Sequence, residues 1–433
     1  MRPGISYKPL GLVLAAAVCA ASVWLYANRV LIPHQISDAA AQGRPRGNLS
    51  DLYLHWVGAR ELLLNGRNPY SPEVTREIQQ GYYGRPLDPS RPGDPRDQRF
   101  AYPVYVTFLL APTLHLPFEI VRKGFLWFSF WLTVATVPLW LRVLRWSPPL
   151  WTQVSLVVFT LGSLPVMQGL KLQQMTLLVA AFVVIGLALL ASHQSIAAGV
   201  ALALATIKPQ LVWLLLFWLM LWTLADWRRR YRWAASFLFT MTILCAAAEW
   251  YLPHWIPQFI QAMREYPTYT DAVSTLDKLL ASPWAWITRA LAVAATLHVG
   301  WKNRMCAQDT VAFTLTVVLI LTVTIIVIPS YALYNEVLLL PALLMLVRDY
   351  KQRATMNSMG RALLALAAIL LLWQWATSIV LAGLSFVLPA PTVQAAWAVP
   401  LWTVLHLPVV VAALVLIMSY RKTFPAAAGP GSS

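Results

Sequence analysis

"QSIAAGVALALATIKPQLVWLLLFWLMLW", residues 194–222, is apolar on both sides of a single Lys-Pro pair, Lys208-Pro209. The run before the pair gives only ~20 Å of helix, against a hydrocarbon core of ~30 Å. A lysine at the end of so short a run is expected below the membrane surface. Ionisable groups at that depth cost several kcal/mol and mark functional sites. The plainer alternative is that Lys208 stretches out to the headgroups.

Apolar runs of this kind recur along the 433 residues, which are 59% hydrophobic and 12% charged. A soluble domain carries about 25% charged residues. The runs are continuous and not alternating, which excludes a β-barrel. The fold class is therefore an all-α polytopic membrane protein, a single domain over 1–433. About twelve transmembrane helices are expected, roughly at 10–31, 121–145, 150–168, 173–191, 195–208, 210–226, 233–252, 280–300, 309–328, 332–347, 361–384 and 395–419. The first run is too long for a signal-peptide core and is read as a retained span.

The net charge of +16 reads as a topology signal and not as a nucleic-acid surface. Basic residues cluster at alternate loops: Arg142 and Arg145; Arg228, Arg229, Arg230 and Arg232; Lys302 and Arg304; Arg348, Lys351, Arg353 and Arg361; Arg421 and Lys422. With Arg2 and Lys8 these face the cytoplasm by the positive-inside rule, so both termini are expected inside. The long loop 32–119 is then outside. The three cysteines show no metal spacing, and structural disulfides are not expected.

The outer loop contains "SDLYLHWVGARELLLNGRNPY", residues 50–70. Leu52, Trp56, Ala59 and Leu63 form one apolar helical face, with Arg60, Glu61 and Asn65 off it. Residues 71–99 are rich in Pro, Gly and Arg and read as coil. Residues 100–118, broken at Pro103, Pro112 and Pro117, read as a helix lying in the outer interface, with Tyr102 and Tyr105 at headgroup level. A second outer loop, 253–279, is polar.

Asp51 and three polar turns share the outer side. The turns carry Lys171, Gln173 and Gln174; Lys208; and Tyr334, Asn335 and Glu336. Each has a plainer explanation. Asp51 suits a helix first turn that Ser50 could cap. Lys171 suits headgroups, Asn335 and Glu336 an interhelical pair, and Glu249 an interfacial position. His55 follows Asp51 by four residues, but two ligands are too few for a metal site. Asp94 and Asp97 read as solvated. There is no Gly-rich phosphate loop and no hydrolase or metalloprotease motif. The residues demand neither a metal nor a cofactor.

The combination resembles glycosyltransferase family 87, integral-membrane enzymes of the C superfamily that include polyprenol-phosphate-mannose-dependent mannosyltransferases. The resemblance rests on Asp51-x-Tyr53, Ala59, Leu62-Leu63, Gly66 and Pro69-Tyr70; on Phe100-x-Tyr102-Pro103, Pro112 and Leu116-Pro117; on Pro165-Val166 through Gln174; and on Ile207-Lys208-Pro209. The chain departs from the family where Gln173 replaces a usual Gly, and at Tyr334-Asn335-Glu336. The resemblance implies the C-superfamily glycosyltransferase fold with a structured first outer loop, and Asp51 as general base. Lys208, Lys171, Gln174, Tyr102, Tyr334, Asn335 and Glu336 are the expected substrate-binding residues. It also implies a bacterial cell-envelope enzyme in the plasma (inner) membrane with its active site on the outer face. The expected partners are a polyprenyl-phosphate-linked sugar donor, mannose or another hexose, a lipid or glycan acceptor, and membrane lipids. A transporter or lipid flippase is the competing class, and a non-catalytic scaffold a third. Against a transporter, the two halves show no repeated broken helices in corresponding positions.

Overall fold

The computed structural model describes residues 8–43, 50–88, 90, 98–270, 272–351 and 356–423. Arg2, Asp94, Asp97 and Arg353 lie outside the described residues. Every regular element among those described is helical.

Helix α1 (Lys8–Tyr26) runs through a π-turn, Ala27–Leu31, into α2 (Ile32–Ala41). The column was expected to end near Leu31. It continues through Pro33 because the π-turn just before it loosens the backbone ladder where the proline ring and its missing N–H would otherwise break it. The loop that follows this column therefore starts about ten residues later than its expected boundary at 32.

Helix α3 (Leu52–Asn65) ends at Gly66, whose φ of +63° suits a residue without Cβ. Its expected single apolar face is too narrow. Leu52, Leu54, His55, Trp56, Val57, Ala59, Glu61 and Leu62 are all buried, so α3 is enclosed almost all round. Glu61 tolerates this through ion pairs to Arg60 at 3.1 Å and Arg67 at 3.0 Å.

Helix α4 (Pro72–Tyr83) occupies much of the stretch expected to be coil. Ser71 caps it by accepting from Val74 N at 3.3 Å, Pro72 opens it, and Glu73 sits in its first turn. The prolines and glycines punctuate its ends and leave its middle intact. The expected interface helix is also replaced. Only α5 (Val106–Leu110) forms there, and Phe100, Val104, Tyr105, Val106 and Leu110 enter the main core. Most of the stretch from Phe100 to Leu110 is buried in the protein, so it does not lie free along an interface.

Helix α6 (Phe118–Val143) follows, then α7 (Leu150–Leu161) and α8 (Leu164–Lys171), bent by 58° to each other. Gly162 lies at the bend, against α1. A Cβ there would meet Ala20 Cα at 2.3 Å. The centre is built from α9 (Met175–Ala191), α10 (Ser195–Leu204) and α11 (Trp213–Ala225), with α12 (Trp227–Tyr251) packed on α10. The stretch expected to be the second outer loop, 253–279, holds α13 (Trp255–Tyr269) and α14 (Thr275–Leu279). Helices α15 (Trp284–Lys302), α16 (Val311–Val327), α17 (Leu340–Arg348), α18 (Ser358–Leu384), α19 (Ala390–Gln394) and α20 (His406–Thr423) complete the chain.

Among the described residues, five helical stretches are long and apolar enough to cross a membrane, and the α7–α8 pair makes a sixth if counted as one span. Helices α9, α10, α11 and α16 are apolar but shorter. Most of α9 and nearly all of α16 is buried, which explains why they are apolar on every face. Several of the twelve expected spans are thus short or broken pieces. One break falls at Lys208-Pro209, and another at the 3-10 stretch Leu333–Leu339 before α17.

Candidate active site

The start of α3 docks on the turn between α8 and α9. Asp51 N donates to Leu172 O at 3.0 Å, and Ser50 Oγ donates to the same carbonyl at 3.2 Å. Ser50 Oγ also accepts from Leu52 N at 3.1 Å. The capping role is therefore filled by Ser50, and the Asp51 side chain makes no cap bond. Its carboxylate is turned elsewhere. Oδ2 accepts from Gln174 Nε2, and Oδ1 accepts from Tyr82 OH at 3.3 Å.

The α8–α9 turn reverses at Gln173, whose φ is +48°. Left-handed backbone is costly for most side chains. Gln173 offsets it by donating from Nε2 to the carbonyls of Leu170 at 2.6 Å and Lys171 at 3.1 Å. The turn presents Gln174 between Asp51 and Lys208. Lys208 sits where one 3-10 turn, Ala205–Ile207, meets another, Pro209–Leu211. It is only 5% exposed, so it does not stretch to the headgroups.

Lys208 Nζ donates to Thr176 Oγ1 at 2.9 Å and to Gln174 Oε1 at 3.3 Å. It lies 4.8 Å from the Tyr334 ring centre and 5.9 Å from that of Tyr102, within reach of cation–π attraction. Thr176 passes its own proton to Asn335 Oδ1 at 2.9 Å. Asn335 Nδ2 donates to Ser330 O at 3.2 Å. A polar relay thus runs Asp51, Gln174, Lys208, Thr176, Asn335. Each member gives or takes hydrogen bonds as its chemistry requires.

His55 stands one turn beyond Asp51 but faces a ring cluster, edge-on to Tyr102 at 4.0 Å. Burial, and then the nearby Lys208 charge, push its pKa down to about 3, so it is neutral. Among the described residues no group of three or more His, Cys, Asp or Glu converges to hold a metal.

Two expected residues lie apart from the relay. Lys171 donates to Gln35 Oε1 of α2, a contact inside the protein in place of the expected headgroup. Asn335 and Glu336 were expected as a pair. In a 3-10 stretch of three residues per turn, neighbours point different ways. Asn335 faces Thr176, whereas Glu336, 4% exposed, lines an apolar cavity of about 300 Å³ with Phe159, Leu371, Gln374 and Trp375. Glu336 Oε1 has no hydrogen-bond partner among the described residues. The expected interfacial Glu249 is half-exposed and accepts from His254 N at 2.7 Å.

Two relay neighbours were not read from the sequence. Tyr82 was hidden in the supposed coil, and the helix-opening Ser71-Pro72-Glu73 was the signal that could have found it. Thr176 is a lone hydroxyl in an apolar run, and nothing local marks it.

A bundle of apolar helices with a buried acid–amide–ammonium relay defines a multi-pass membrane protein with a polar site held inside it. The model of glycosyltransferase family 87 matches residues 100–329, more than half of the chain, and the protein belongs to that family. It is an integral-membrane glycosyltransferase. The matched segment includes Tyr102, Lys171, Gln174, Thr176 and Lys208; Asp51, Tyr82 and residues 334–336 fall outside it. No curated protein and no solved structure matches the chain.

Proposed function

We propose that the enzyme transfers a sugar, mannose or another hexose, from a polyprenyl-phosphate donor to a hydroxyl of a lipid or glycan acceptor, with inversion. The observation that carries this reading is the Asp51 carboxylate. It is released from helix capping and linked through Gln174 to a buried cation. A base must reach the hydroxyl it deprotonates, within ~2.6–3.2 Å. Asp51 is part-exposed at the start of α3 and meets that need from a fixed position. In the step, the acceptor oxygen forms a bond to the anomeric carbon and its proton goes to Asp51. The bond from the anomeric carbon to the phosphate oxygen breaks, and polyprenyl phosphate leaves with the electron pair. The leaving group is already an anion, so it requires positive charge more than a proton. Lys208, and Lys171 beyond it, supply that charge.

The alternating basic clusters support an outer-face site in the plasma membrane, with both termini inside. Nucleotide sugars are made in the cytoplasm and do not cross a bilayer unaided. A polyprenyl tail, by contrast, gains ~0.8 kcal/mol per CH₂ kept in apolar surroundings. The test supplies purified enzyme with either a radiolabelled polyprenyl-phosphate sugar or the matching nucleotide sugar, and no other enzyme. Transfer from the lipid-linked donor alone is expected. Robust transfer from the nucleotide sugar alone overturns the donor and the outer placement together.

A further inference from the structure

Helices α4 and α13 each turn an apolar face away from the other. On α4, Val74, Ile78 and Tyr82 are buried. On α13, Ile256 and Ile260 are exposed, at 46% and 44%. Between the two helices lies a cleft of about 680 Å³, walled by their polar sides. Thr75, Arg76 and Gln79 line it from α4, and Gln258, Gln261 and Glu265 from α13. These positions recur at three- and four-residue spacing, so each set is one continuous helical face. Helices that pack directly bring apolar stripes together. Here amides face amides across unfilled space, and Ala262 keeps the α13 wall low.

The chemistry of the lining selects the ligand. Each cation in the cleft is already paired: Arg76 with Glu73 at 3.5 Å, and Arg99 with Glu265 at 3.3 Å. A phosphate or carboxylate would have to displace these partners. Neutral hydrogen-bonding groups remain open. Gln79 Nε2, Thr75 Oγ1 and Gln261 Oε1 have no partner among the described residues. Arg99, whose charge is met by Glu265, keeps one buried donor, Nε, that has no partner among the described residues. Tyr70 and Phe100 add rings to the lining. Planar amides with ring surfaces suit a polyol that has alternating hydroxyls and apolar C–H faces.

The cleft is joined to the relay in two places. Tyr70 OH donates to Tyr102 O at 2.6 Å, and the Tyr102 ring faces Lys208. Gln79 precedes Tyr82 by three residues on α4, and Tyr82 holds Asp51. We propose that this cleft binds the uncharged glycan of the acceptor, in the sugar units beyond the one that carries the reacting hydroxyl. The proposal rests on the glycosyltransferase reading above and commits it to an acceptor of more than one sugar.

The test uses full-length purified enzyme, a radiolabelled polyprenyl-phosphate hexose, and neutral alkyl glycosides of one or three hexose units. The wild type is expected to favour the trisaccharide by about tenfold in kcat/KM, the worth of one or two hydrogen bonds. In Gln79→Ala/Gln261→Ala that ratio is expected to collapse towards one. An unaltered ratio in the variant, or no preference in the wild type, overturns the proposal. So does preference for a phosphorylated trisaccharide over the neutral one. Saturation-transfer NMR with the same trisaccharide separates this from failure of the donor assignment. Sugar protons saturated by the wild type and not by the variant uphold the cleft even where the lipid-linked hexose gives no product. Equal saturation by both, or none by either, overturns it.

Discussion

Gln174 donates from its amide nitrogen to Asp51, and the oxygen of the same amide accepts from Lys208 at 3.3 Å. The orientation of that amide follows from its neighbours. A carboxylate offers no proton and an ammonium accepts none, so the nitrogen must face Asp51 and the oxygen Lys208. One side chain therefore couples the proposed base to the buried cation without letting them meet and neutralise each other. Gln174→Glu places a second carboxylate beside Asp51, and like charges make each harder to ionise. The acid limb of the pH–rate profile is expected to move to higher pH in both variants, slightly in Gln174→Ala, which loses the donor to Asp51, and further in Gln174→Glu, which also adds a like charge. Profiles unmoved from the wild type in both variants would remove Gln174 from the control of Asp51.

Lys208 is the one charged member of the relay besides Asp51 and is almost fully enclosed. If it receives the leaving phosphate, Lys208→Ala raises the donor KM and lowers kcat by about 10²-fold, the scale for removing one charge-stabilising group. Lys208→Arg keeps the charge with a different shape and retains part of the activity. The acceptor KM changes far less in both. An acceptor KM that rises as much as the donor KM contradicts the assignment.

His55 gives a pH signature in stability. Its pKa is about 3 in the folded protein, against about 6.5 for an imidazole in water. The unfolded chain therefore binds a proton that the folded chain refuses between those values. The stabilisation is complete above about pH 6.5 and is lost as pH falls towards 3, by up to about 1.4 kcal/mol per pH unit. Thermal unfolding of detergent-purified protein at about pH 7 and about pH 5 is expected to show this loss. His55→Phe, which keeps a ring among Tyr102 and Phe100, is expected to shrink it. An equal loss in wild type and variant assigns the acid sensitivity to other groups.

Much of the site was legible because buried charge in an apolar chain is conspicuous. Lys208 stands out between two uncharged runs, and Asp51 at the head of a helix. What joins them was less visible. Gln174 is one of two adjacent glutamines, and the left-handed Gln173 decides which of them faces Asp51. Thr176 is a threonine among valines and leucines. Asn335 and Glu336 do not pair because a 3-10 stretch sends adjacent residues to different sides. The span count was the weakest expectation. Enclosed short helices such as α9 and α16 have the same apolar composition as lipid-facing ones.

The proposed topology rests on the charge pattern and is testable without activity. In a variant lacking the three native cysteines, a cysteine introduced at Ser90 is expected to label with an impermeant thiol reagent applied from outside. One at Trp227, 52% exposed, is expected to label only from the cytoplasmic side. Labelling of both from the same side contradicts the outer placement of the site.

The role of Asp51 is tested most directly by single-turnover transfer from a radiolabelled polyprenyl-phosphate sugar with wild type and Asp51→Asn. The substitution keeps size and shape and removes basicity. Because Ser50 supplies the cap, helix α3 keeps it, and the variant's melting temperature is expected to stay close to that of the wild type. The rate of transfer is expected to fall by about 10²–10⁴-fold, the contribution of a general base. A folded Asp51→Asn enzyme that transfers sugar at a near wild-type rate would contradict the account.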